Sequence, residues 1–106
     1  MTTKSRKQQL EEMLTEDPND AFLRYGLAME YVGEGKDEEA VRQFLEMLTI
    51  TPDYVPSYQQ AGQALLRLGR PEEASEVLRR GITVAQQKAE LHAAEEMQGL
   101  LASLEN

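Results

Sequence analysis

The sequence predicts an all-α fold, a short α-solenoid of stacked helical hairpins, and three observations predict it. The phrase GKDEEA, Gly35 to Ala40, returns as GRPEEA, Gly69 to Ala74, 34 residues later. On either side of each copy, apolar residues recur at the three- and four-residue intervals of a helix face, with the glycine between the two runs. Sliding the chain on itself by 34 residues aligns Leu27 with Ala61, Ala28 with Gly62, Tyr31 with Leu65, Phe44 with Leu78 and Leu48 with Ile82. The same step aligns Leu10 with Phe44, Met13 with Met47, Leu14 with Leu48 and Pro18 with Pro52, so a partial copy precedes two full ones.

One domain is expected over residues 1–106. Residues 4–18 hold a lone helix of the second type in the hairpin, helical from about Lys4 to Thr15. Residues 21–54 form the first full unit, with Leu27, Ala28 and Tyr31 on its first helix and Ala40, Val41, Phe44 and Leu48 on its second. Between them Gly35 suits the left-handed residue that ends a helix, and Gly69 does the same in the second unit, residues 55–88. Pro71 fits the first turn of a helix, where its missing N–H has no partner to lose, and Glu38, Glu39, Glu72 and Glu73 fall where negative charge complements the helix dipole. The recurring phrase is thus a helix stop followed by a helix start. Residues 89–104 form a final capping helix with an apolar stripe of Leu91, Ala94, Met97, Leu101 and Leu104. In the 34-residue register, Glu95 and Glu96 occupy the places of Ala61 and Gly62, so this helix does not continue the pattern of a full unit.

A helix-turn-helix unit of this length resembles the tetratricopeptide repeat. Unit one carries that family's Leu-small pair as Leu27 and Ala28, then Tyr31, Gly35, Ala40, Phe44 and Pro52. Unit two carries Tyr58, Gly62, Leu65, Gly69, Ala74 and Leu78. Three departures stand out: Arg24 replaces the first aromatic, Met47 stands where a small residue is usual, and Gln86 replaces the closing proline. The first two imply altered packing, and the third suggests that the helix from Pro71 runs on, although TVAQQKAELHAA, without Gly or Pro, leaves open whether it breaks near Gln86 or continues into the last helix. Family resemblance implies a right-handed α-solenoid that is non-catalytic and binds a protein or peptide on a concave face lined by the first helices. Some members clamp an acidic C-terminal carboxylate with basic inner residues. The corresponding positions here, Tyr25, Met29, Gln60, Glu90 and Ala94, do not support that, and only Arg67 is cationic.

The residues favour an interaction role over chemistry. With 19 Asp and Glu against 11 Lys and Arg, the net charge of -8 repels nucleic acid and anionic lipid, so neither is an expected partner. No cysteine occurs, which removes disulfides and thiolate chemistry and suits a reducing compartment. The N-terminus MTTKSRKQQLEE lacks the apolar core of a signal peptide, and a cytoplasmic location is expected. The single histidine, His92, near Glu95 and Glu96, lacks the converging ligands of a metal site and reads as a solvated cap residue. VGEGKDEE lacks the Lys-Ser or Lys-Thr pair of a phosphate loop. No nucleophile, base and oxyanion grouping is placed by the repeat, so neither catalysis nor a cofactor is expected.

The first helix of unit one carries a second apolar stripe, Phe22, Tyr25, Met29 and Val32. A helix apolar on two sides is either buried on both or offers a patch to a partner. The matching stripe in unit two reads Pro56, Gln59, Gln63 and Leu66, with Gln60 and Arg67 beside it. The candidate partner-binding set is therefore Phe22, Tyr25, Met29, Gln59, Gln60, Gln63 and Arg67. Two alternatives stand beside it: Phe22, Tyr25 and Met29 pack against the first or final helix, or the chain forms a homodimer through Leu91, Leu100, Leu101 and Leu104, supplying the neighbours that two repeats lack.

Overall fold

The computed structural model describes residues 3–105, and among them it forms six helices and no strand. They are α1 (Arg6–Glu16), α2 (Ala21–Gly33), α3 (Asp37–Ile50), α4 (Val55–Arg67), α5 (Pro71–Gln87) and α6 (Leu91–Leu104). Each packs on the next in chain order, and α4 also touches α6, giving an elongated stack of 52 × 28 × 20 Å.

Local chemistry sets the ends of the helices. Ser5 accepts a hydrogen bond from the Gln8 amide while the Gln8 side chain accepts from the Ser5 amide, a reciprocal cap that starts α1. Asp20 accepts from the Leu23 amide and starts α2. The turn after α2 closes with Lys36 donating to the Tyr31 carbonyl and Gly35 to that of Val32, and Gly35 has φ +76°. The turn after α4 repeats this with Arg70 to Leu65 and Gly69 to Leu66, with Gly69 at φ +73°. A residue without a Cβ meets that left-handed conformation at no steric cost.

The two kinds of turn alternate only until α5. After α1 and α3, the residue preceding a proline leaves the helix: Asp17 lies at φ -137°, ψ 77° and Thr51 at φ -130°, ψ 80°. Proline's ring disfavours the helical conformation at the residue before it. Gln86 removes that constraint, and α5 runs 17 residues against the 14 of α3. It then ends as α2 and α4 do, with Glu90 donating to the Ala85 carbonyl and Ala89 to that of Gln86, and with Ala89 in glycine's place at φ 57°. The final helix accordingly starts at Leu91, later than the expected Ala89.

A longer helix and a shorter connection shift the register. Leu91 opens α6 36 residues after Val55 opens α4, not 34. In the new step Leu91, Ala94, Met97, Leu101 and Leu104 fall on Val55, Tyr58, Ala61, Leu65 and Leu68, apolar on apolar. Glu95 and Glu96 then stand exposed rather than inside.

One core runs through the stack, from Ala28, Ala40 and Phe44 through Tyr58, Leu65 and Leu78 to Ala94 and Met97. The small residues mark the close crossings. A Cβ on Gly62 would lie 2.5 Å from Leu78 Cδ2, and one on Gly81 would lie 2.5 Å from Tyr58 Cβ and 2.7 Å from Met97 Sδ. Arg24 and Met47 do alter the packing of unit one. Arg24 Nη2 donates to the Pro18 carbonyl at 2.8 Å, the bond that the Tyr58 hydroxyl makes to the Pro52 carbonyl at 2.6 Å one unit later. Met47 is fully buried and accepts from the Ser57 hydroxyl through its sulfur.

Candidate partner-binding face

The first helices of the hairpins, α2, α4 and α6, supply the candidate face. Phe22 on α2 is 75% exposed, and its ring meets Tyr54 edge-on at 6.0 Å. Tyr25 is half-buried between Tyr54, 5.3 Å away, and Phe44, 5.5 Å away. Burial, with a smaller contribution from Tyr54, pushes the Tyr25 phenol above its ordinary pKa. Met29 and Val32 follow at helical spacing, each half-buried and packed on the core. Phe22 therefore projects to solvent, while Tyr25 and Met29 divide their surface between the core and the outside. The rings that Tyr25 meets belong to α3 and to the head of α4.

Farther along, the face turns polar. Gln59 donates through Nε2 to Glu96 Oε2 at 3.1 Å, and Glu96 Oε1 lies 2.9 Å from His92 Nε2, so α4 and α6 are tied together across the face. Gln60 and Gln63 are half-buried on α4. Arg67 sits at the end of α4, where Nε and Nη2 donate to Asp37 Oδ2 and Oδ1 at 3.0 and 2.9 Å. That hydrogen bonding raises the Arg67 pKa above its ordinary value. Arg70 pairs with Glu38 at 3.1 Å alongside it, so the expected groove cation helps to fasten the turn edge between α3 and α4. Of the residues considered for self-association, Leu100 and Leu104 pack on the core, Leu101 is half-buried, and Leu91 is 63% exposed.

Reading the sequence in steps of 34 missed Tyr54, which joins Phe22 to Tyr25, and misplaced the contribution of α6. Counted in steps of 36, Pro56, Gln59 and Gln60 correspond to His92, Glu95 and Glu96. The signal was present in the apolar stripe that begins at Leu91, which aligns with α4 only in that step. No group of three or more potential metal ligands gathers among the described residues, and no helix among them is long and apolar enough to cross a membrane.

Comparison with known proteins agrees with this architecture. Residues 2–68 match one family model described as a tetratricopeptide repeat, and residues 55–88 match a second with the same description. Neither match extends into α6. Among solved structures, a solution structure of a tetratricopeptide repeat domain protein from Salinibacter ruber is 32% identical, with a TM-score of 0.76 over 83% of this chain and 89% of that one. A protein from Bordetella parapertussis is 22% identical, with a TM-score of 0.83 over 96% of this chain and 89% of that one. The type III secretion translocator chaperone SycD of Yersinia enterocolitica is 16% identical, with a TM-score of 0.87 over 93% of this chain and 69% of that one. No curated protein matches the chain.

Proposed function

The chain belongs to the tetratricopeptide repeat family, whose repeats generally mediate protein–protein interaction, and from that premise we propose that it is a non-catalytic cytoplasmic module that holds a protein or peptide segment on the concave face of α2, α4 and α6. The observation that carries this reading is Phe22, a large apolar ring left 75% exposed beside Tyr54 and Tyr25. Leaving such a ring in water forgoes roughly 1.5–3 kcal/mol of burial, which a partner covering it would recover. Tyr25 and Met29 extend the apolar area, and Gln59, Gln60 and Gln63 offer amides that pair with the backbone of an extended segment. Arg67, already bonded to Asp37, contributes shape more than free charge.

Phe22→Ala tests the reading without disturbing the core, which truncating Tyr25 against Phe44 would do. Partner capture by the immobilised protein is expected to fall at least about tenfold, the loss of an anchoring aromatic, with an unfolding midpoint unchanged. Undiminished capture would remove the main support. Sedimentation across a wide concentration range addresses the homodimer: a dimer abolished by Phe22→Ala places a second copy on this face, and a monomer throughout leaves the face open to another protein.

A further inference from the structure

The face is polarised along the stack, and its polarity describes the partner. At the α2 end lie Phe22, Tyr25 and Met29, with no charge among them. At the α6 end lie Glu95 and Glu96, both exposed, on the face positions that correspond to Gln59 and Gln60. The contact from Gln59 to Glu96 shows that the acidic end joins the amide-lined middle directly. Arg67, the cation among the candidate residues, is bonded to Asp37 and does not neutralise Glu95 or Glu96, of which Glu96 meets Gln59 and His92. The chain's net charge of -8 reinforces the same sign at long range.

Resting on the function proposed above, we infer that the occupant is an apolar-basic segment of another protein, with one or two large apolar side chains over Phe22 and Met29 and a Lys or Arg at Glu95 and Glu96. Spacing follows from the stack. Because α4 stands between α2 and α6, the apolar anchor and the cation meet different helices, and in an extended peptide, which advances ~3.3 Å per residue, they fall several residues apart. An acidic segment would bring like charges together at α6, and a purely apolar one would offer Glu95 no counter-charge.

Selection of a random 12-residue peptide library on the full chain tests this, with the selected peptides titrated against Phe22→Ala and against Glu95→Gln combined with Glu96→Gln. Expected are peptides with an apolar residue and a Lys or Arg several positions apart. Their affinity should fall about three- to tenfold in the Gln variant at low salt, a difference that salt at ~1 M removes. Both carboxylates are exposed, so the Gln variant is expected to fold, which its melting curve checks. Peptides weakened by Phe22→Ala yet indifferent to the Gln variant, or rich in Asp and Glu, would overturn the basic partner while leaving the groove intact. Peptides indifferent to both variants, or no selection at all, would overturn the groove together with it.

Discussion

The junction between α3 and α4 and the junction between α5 and α6 perform the same task with different residues. In the first, Pro52 ends α3 and the Tyr58 hydroxyl seals its carbonyl. In the second, Gln86 lets the helix continue, Ala94 stands where Tyr58 stood, and the backbone closes the turn around a left-handed Ala89. The interiors differ in a complementary way. Met47 on α3 and Ala61 on α4 occupy the positions that Gly81 and Met97 occupy on α5 and α6, so the methionine changes sides of the interface. Nearer the surface the two units show a related exchange. Arg24 lies 3.5 Å from Glu46 in unit one, and in unit two the same positions hold Tyr58 and Arg80, 5.6 Å from guanidinium carbon to ring centroid. What is kept from unit to unit is the filled volume and the closure of each turn, while the residue supplying each is free to change.

Gln86→Pro puts this comparison under the greatest strain. Inside α5 a proline loses a backbone hydrogen bond and clashes with the preceding turn, at a cost of about 3 kcal/mol or more. Restoring the proline turn offers no escape, because a 34-residue step would drive Glu95 and Glu96 into the interior places of Ala61 and Gly62. Denaturant unfolding should show the loss, and deleting Lys88 and Ala89 together with Gln86→Pro should recover most of it by returning Leu91 to the 34-residue step. A fully stable single variant would mean that the slip does not depend on Gln86.

Gly81→Ala probes the interior of the second junction with a smaller expected effect. Its Cβ meets Tyr58 Cβ, which cannot retreat without moving α4, and overpacking of this kind costs about 1–3 kcal/mol. Adding Met97→Ala should relieve only the part due to the sulfur. A neutral Gly81→Ala in thermal unfolding would show that neither Tyr58 nor Met97 fixes the spacing at this glycine.

Ala89→Gly carries the smallest effect and the opposite sign. Replacing the left-handed alanine by the residue found at Gly35 and Gly69 should stabilise the chain by about 0.5–1 kcal/mol, read as a rise in the unfolding midpoint. A loss of stability would show that this turn is not of the same kind as the other two.

These contrasts explain which parts of the molecule the sequence disclosed. The hairpins of α2 with α3 and α4 with α5 were legible because helix spacing, the Gly35 and Gly69 stops and the proline starts are local signals that agree with one another. Gln86 signalled that α5 runs on, but not where it stops, because TVAQQKAELHAA carries no Gly or Pro to mark the break. The effect on α6 was not legible either, because a longer helix and a different turn combine into a shift that no single residue announces. On the candidate face, the apolar stripe of Phe22, Tyr25 and Met29 could be read from its periodicity. The pairing of Arg67 with Asp37 spans 30 residues and depends on how two turns meet in space, which periodicity does not encode.

The two-residue slip before α6 behaves as a dislocation does in a crystal. Order is complete on both sides of it, the atoms across it remain in close contact, and only the count of lattice steps is wrong. A ruler laid along the chain in units of 34 loses phase at that line, while a ruler laid across the packed helices registers nothing unusual. The defect also turns the last helix about its axis relative to where an unbroken lattice would set it, so two carboxylates that the lattice would have hidden are shown to the solvent.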